Sequence, residues 1–243
     1  TQSGCAVPVE LCFHPKLDAG GDFFSQFQLS ADRTFCLLTD VSGHDLQAAY
    51  LSAYFHGMAR GMLERSATAP GLFSFFNRFL VKEWNPQRAV HTASNRSLAS
   101  VAVSSLLIDT ERGTIESITA GAPAPSRVTE EGRIQVVGER GGAPLGWFDE
   151  CPASTNESSI AGGGSMLLWS DGLDELAQGP RVCVLAAAFA LQSARRVGAV
   201  HPLVSSAADD ILLARISLPP HTPFENAFAP IVHWRYRGDQ ADE

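Results

Sequence analysis

Apolar and polar positions change rhythm several times along the chain, and each change predicts an element. Val9 to Pro15 and Phe23 to Leu29 predict short strands. Ala31-Asp32-Arg33 predicts a turn into a third strand, Thr34 to Thr39, so the N-terminal part is a β meander ending at Asp40. From Asp45 the period lengthens. Leu51, Tyr54, Phe55, Met58 and Met62 recur at helical spacing, and Ser42, with Asp45 three residues on, suits a helix cap. A second helix is predicted from Gly71 to Trp84, entered after Pro70, with Phe73, Phe76, Phe79 and Leu80 on one side. The polar segment Asn85 to Arg96 is a loop by the same reasoning.

Strand signals return in Leu98 to Ile108, Thr114 to Ala120, Ser126 to Thr129 and Arg133 to Val137. Glu111-Arg112-Gly113 and Glu130-Glu131-Gly132 separate them as hairpin turns. Gly162-Gly163-Gly164 precedes the apolar run Ser165 to Ser170, which ends at Asp171 and passes into a helical stretch, with a further helix predicted from Arg181 to Val197. A last strand, Ile211 to Leu218, begins after Asp209 and Asp210. Antiparallel connections among these strands predict two packed sheets flanked by helices, an α+β arrangement, rather than a parallel doubly wound sheet.

Composition narrows the function. With 45% hydrophobic and 18% charged residues over 243 positions, the chain can bury a core as one domain. The net charge of −8 argues against a phosphate-backbone grip on nucleic acid, which needs clustered Lys and Arg. No apolar run approaches the roughly 20 residues of a membrane span and no signal-peptide pattern opens the chain, so the expected location is the cytoplasm, with no membrane partner. Five scattered cysteines without a C-x-x-C pair suit reduced core thiols. Thr1 in place of a start methionine suggests a piece of a longer chain.

The candidate chemistry lies in aspartates. Asp22, Asp40, Asp171 and Asp209 each fall where a predicted strand begins or ends, where a rigid scaffold can gather groups distant in sequence. Any one of them alone is more simply a turn former or helix cap. Gathered carboxylates repel one another unless protons or cations compensate, and hard oxygen ligands select Mg²⁺ or Mn²⁺. Two such ions about 3.5 to 4 Å apart can stabilise both the attacking and leaving oxygens of an in-line displacement.

The contexts of these acids are Gly20-Gly21-Asp22-Phe23-Phe24, Asp40-Val41-Ser42-Gly43-His44, Ser170-Asp171-Gly172-Leu173 and Asp209-Asp210-Ile211. In that order they resemble the bacterial branch of the metal-dependent protein phosphatases, the protein phosphatase 2C-like family, of the stage II sporulation protein E and sigma-regulator type. The resemblance runs from about Val9 to Leu218. It implies an α-β-β-α sandwich with two divalent cations, Mn²⁺ or Mg²⁺, at one edge, hydrolysing phosphoserine or phosphothreonine. The implied roles are a bridging carboxylate for Asp40, a main-chain carbonyl ligand for Val41, the second ion's ligands for Asp171 and Asp209, and a nearby, water-mediated role for Asp22. Asp210 is the neighbouring alternative to Asp209.

The resemblance also implies a phosphorylated regulatory protein as partner, of the anti-sigma-factor antagonist kind, and leaves room for an upstream receiver or sensor domain and for a homodimer. Departures are Asp45 where the family has Gly, and Thr119-Ala120-Gly121-Ala122-Pro123 where it often has Asn-Ala-Gly-His-Pro. Neither removes an implied ligand. His44 is read as shaping its loop, and Ser42 occupies the place of the acid histidine of animal-type members. Gly20 to Phe24 also resembles the signature of diguanylate cyclases, but Phe23 stands where those carry an acid. A phosphatase fold serving as a binding adaptor, as in some response-regulator output domains, is the rival reading, and loss of the metal acids would mark it. Residues 1–218 are expected to form the phosphatase domain. Residues 219–243, with Pro219, Pro220, Pro223 and Pro230 among Phe224, Phe228, Trp234 and Tyr236, are expected to form an extension that docks on the domain or a partner.

Overall fold

The computed structural model describes residues 7–14, 20–43, 45–65, 68–85, 98–130, 133–139, 141–176 and 211–219. Among these residues, ten strands build two sheets of five. One sheet contains β2 (Phe23–Gln28), β3 (Arg33–Val41), β4 (Val101–Asp109), β5 (Thr114–Ala120) and β8 (Ser154–Ser159) in that spatial order. The other has the order β1 (Val9–His14), β10 (Ile211–Ser217), β9 (Ser165–Trp169), β6 (Ser126–Val128) and β7 (Ile134–Val136). Every paired strand is antiparallel, as the sequence pattern predicts.

Side chains alternate across a strand, so β3 feeds two cores. Cys36 and Leu38 join Leu106, Ile108, Met166, Leu168, Leu212 and Ala214 between the sheets, an aliphatic layer. Phe35, Leu37 and Val41 join Phe27, Phe55, Phe73 and Phe76 beneath two helices, α1 (Leu46–Leu63) and α2 (Ala69–Phe79). That second layer holds five buried phenylalanines among its aliphatic side chains, with Phe55 and Phe76 stacked 3.7 Å apart. Two sheets packed face to face lie about 10 Å apart, a gap that the interdigitated aliphatic side chains fill.

Local chemistry corrects several boundaries. The cap of α1 is Asp45, not Ser42: its Oδ1 accepts from Ala48 N at 3.0 Å. Ser42 instead accepts from Ser100 N through its Oγ and donates its own N–H to Ser100 O, both at 2.9 Å. The second helix starts earlier than Pro70 suggests, because Thr68 caps it through Gly71 N, and proline is tolerated in a first turn whose N–H groups lack intrahelical partners. It continues through a π-helical turn, Leu80–Trp84.

Strand β8 has no sequence signal. Its residues, Ser154-Thr155-Asn156-Glu157-Ser158-Ser159, are wholly polar and mostly exposed, and only pairing with the edge of β5 makes them a strand. After β9 comes a short α3 (Asp171–Leu176). The helix expected at 181–197 and the extension at 220–243 lie outside the described residues, and no described helix is long and apolar enough to cross a membrane.

Candidate metal centre

The register of the first hairpin explains how the first two acids meet. Phe23 pairs with Thr39, so Asp22 stands one step further, level with Asp40. Residues directly opposite in an antiparallel pair point to the same side. That side is the one carrying Leu38 and Cys36, so both carboxylates extend the aliphatic layer to its open end, where the sheets stop covering one another. On β4 the residue opposite Asp40 is Ala102, whose small side chain leaves volume in front of the carboxylate.

That volume is a cavity of about 320 Å³, lined by Asp22, Asp40, Asp171, Ala102, Gly121 and the backbone from Val41 to Gly43, among others. Asp22 and Asp40 are half-buried and Asp171 is exposed. Asp171 reaches the cavity from the other sheet. Ser170, just before it, accepts from Leu212 N through Oγ and donates its N–H to Leu212 O, both at 2.9 Å, which fastens the end of β9 to the start of β10. Asp209, with its alternative Asp210, lies outside the described residues, as does His44.

Close backbone approach completes the floor. A Cβ on Gly21 would fall far inside van der Waals contact with the Val41 carbonyl oxygen and 3.1 Å from that of Gly43. Only glycine there lets the chain carrying Asp22 lie against the chain carrying Asp40 and Val41. Gly121, with φ +73°, turns the end of β5 against Pro144 in the same way, and a Cβ there would stand 2.7 Å from the proline backbone. Gly21, Ser42 and Gly121 fall within the motifs of the resemblance, whereas Ser100, Ala102 and Pro144 carry no chemical signature in the sequence.

The groups lining the cavity that could ligate a cation are all oxygen donors: the carboxylates of Asp22, Asp40 and Asp171 and the main-chain carbonyl of Val41. Hard oxygen donors with room for water suit Mg²⁺ or Mn²⁺ and disfavour softer ions. Among the described residues, no three His, Cys, Asp or Glu side chains cluster closely enough to ligate one ion by themselves. A cation held here would draw on the carbonyl and water as well as the carboxylates.

The model for the stage II sporulation protein E (SpoIIE) family matches residues 30–217, and the chain belongs to that family. No curated protein sequence matches it. Among solved structures, it is similar to the RsbU and RsbW domains of Rv1364c from Mycobacterium tuberculosis, at 24% identity and a TM-score of 0.61, covering 90% of this chain and 62% of that one. It is also similar to the PP2C phosphatase domain of SpoIIE with a fragment of its regulatory domain from Bacillus subtilis, at 15% identity and a TM-score of 0.63, covering 87% of this chain and 63% of that one. A structure of RsbX in complex with magnesium matches at 14% identity and a TM-score of 0.60, covering 88% and 96%. The fold is thus that of the PP2C-like phosphatases, as the resemblance of the four aspartate motifs implied.

Proposed function

We propose that the chain is a metal-dependent serine/threonine protein phosphatase whose substrate is a phosphorylated bacterial regulatory protein of the anti-sigma-factor antagonist kind. The observation that carries this reading is the gathering of Asp22, Asp40 and Asp171 on one cavity, from both sheets, at the open end of the sandwich. In this reading Asp40, Asp171, Asp209 and the Val41 carbonyl hold two divalent cations, Mn²⁺ or Mg²⁺, and Asp22 acts on them directly or through water. Magnesium in a structural relative of the same fold supports the choice of ion.

When bound, the ions would supply an activated water and neutralise charge on the phosphoryl group. The chain's own residues do the rest. Asp22 and Asp40, level on adjacent strands, present their carboxylates from the same side of the sheet to the cavity. The Ser42–Ser100 clamp holds the rim rigid, and the cavity's small residues, Ala102 and Gly121, leave room for a tetrahedral phosphoryl group. No side-chain nucleophile is required. A cytoplasmic location and the role of residues 1–218 as the catalytic domain belong to the same proposal.

The test is phosphate release from phosphoserine proteins with and without Mn²⁺, comparing the intact chain with Asp40→Asn. Mn²⁺-dependent release that the variant lacks supports the reading. Hydrolysis confined to small metabolite phosphates overturns the substrate assignment.

A further inference from the structure

A second cavity, of about 480 Å³, adjoins the carboxylate cavity and shares two of its walls, Ser42 and Ser100; its other lining residues are Leu98, Trp147 and Phe148. The clamped serine pair is therefore a ridge between an anionic pocket and an apolar one. Trp147 and Phe148 are 51% and 55% exposed, among the most exposed large apolar side chains described.

Their backbone is nevertheless tightly held. Asn77, 1% exposed on α2, accepts from Gly146 N at 2.8 Å and donates through Nδ2 to the carbonyls of Phe148 at 3.0 Å and Asp149 at 3.3 Å. One residue earlier, Leu145 is fully buried and exchanges both main-chain hydrogen bonds with Val101. A buried amide thus uses its donor and its acceptor to fix a loop whose two aromatic side chains remain in solvent. Large rigid aromatics offer contact area at little cost in conformational entropy, which is the profile of a recognition surface.

We propose that Trp147 and Phe148 form the specificity step for the substrate protein, receiving a large apolar side chain a few residues from the phosphoserine. This rests on the phosphatase reading of the adjoining cavity. The occupant follows from continuity: a chain whose phosphoryl group enters the carboxylate cavity crosses the Ser42–Ser100 ridge, and the next cavity it meets is apolar. The exposed Glu150 beside the aromatic pair favours a basic residue next to that apolar side chain.

The experiment uses phosphoserine peptides in which a single leucine is walked through the flanking positions, with p-nitrophenyl phosphate as the control too small to reach the aromatic pair. Steady-state kinetics with Mn²⁺ are measured for the intact chain, Trp147→Ser, Phe148→Ser and the conservative Trp147→Phe. Peptide binding is followed separately by fluorescence anisotropy. The expected result is one leucine position that lowers KM about tenfold, the size of a contact near a hot spot's threshold. That gain disappears in both serine variants and survives in Trp147→Phe, while kcat and all constants for p-nitrophenyl phosphate stay unchanged. Equal kinetics for every peptide in every variant, with p-nitrophenyl phosphate still hydrolysed, overturns the specificity step and leaves the phosphatase reading standing. Trp147-dependent peptide binding without any hydrolysis does the reverse. Self-association that the serine variants abolish, with peptide kinetics unmoved, assigns the surface to a second copy of the chain and overturns the proposal.

Discussion

The two faces of the β2–β3–β4 sheet do different work, and the strands separate that work by alternation alone. On β3, Cys36 and Leu38 lead along the inter-sheet face to Asp40 at the cavity, while Phe35 and Leu37 lead along the helix-facing side to Val41 under α1. The inter-sheet face is aliphatic and ends in acids that face open volume. The helix-facing side holds the buried phenylalanines, packed among aliphatic side chains under α1 and α2. Moving one residue along the strand therefore exchanges a side chain on the inter-sheet face for one beneath the helices, and a register slip by one would exchange them all.

The sharpest break of this contrast is expected at Asp40. Asp40→Asn should reduce metal-supported phosphate release to background while the apo protein melts at the same or a higher temperature, because removing one carboxylate from an anionic cavity also removes repulsion. Calorimetry and phosphate release on the same sample check both halves. The mirror-image change on the other face is Phe76→Ala, which deletes the ring stacked on Phe55 and should cost about 3 to 5 kcal/mol in urea unfolding. Turnover per folded molecule should remain. If Phe76→Ala lowers kcat with its folded fraction corrected, the two faces are not separable.

Asn77→Ala probes the polar link between the helix side and the loop beside the cavity. It removes the amide that meets the main-chain groups of Gly146, Phe148 and Asp149, and an expected loss of about 1 to 3 kcal/mol follows from breaking these bonds, above all the buried one to Gly146 N. Its effect on p-nitrophenyl phosphate should be small. The smallest expected effect concerns His56, which packs between Phe23 and Phe27 on the helix-facing side and hydrogen-bonds Ser25 Oγ. Burial, with the nearby Arg60 guanidinium second, holds its pKa below the usual histidine value. A depressed histidine pKa means that the neutral ring stabilises the fold at pH values above about 6.5, the ordinary value, and that this contribution is lost as pH falls through the folded pKa. Melting temperatures between pH 7.5 and 5 should fall more steeply for the intact chain than for His56→Gln. Parallel curves would show that His56 is not a source of the acid sensitivity.

Much of this division is legible in the sequence. Asp22, Asp40 and Asp171 sit at strand ends within recognisable motifs, and the structure brings all three, with Val41, to one cavity. Asp209 lies outside the described residues, so its place in the site rests on the resemblance. Whatever lacks an apolar rhythm is hidden. Strand β8 is polar throughout, so no period-2 pattern marks it; its partner β5 alone makes it a strand. The cap of α1 cannot be chosen locally, because Ser42 and Asp45 both have capping chemistry and the choice is made by Ser100, a residue remote in sequence. The aromatic loop at Trp147 is invisible for a related reason: its exposure depends on Asn77, and no local pattern tells a buried asparagine from a solvated one.

Gly21 has a consequence for how this protein tolerates change. It carries no charge, donates nothing to a ligand and would be passed over in any search for reactive groups, yet every side chain would collide with the Val41 carbonyl. In a saturation mutagenesis scored on phosphate release, its column should be as empty as that of Asp40. The two columns would differ in a second screen scored on folded abundance, where Asp40 variants persist and Gly21 variants are depleted, so the pair of screens would distinguish a residue that performs chemistry from one that only makes space for it.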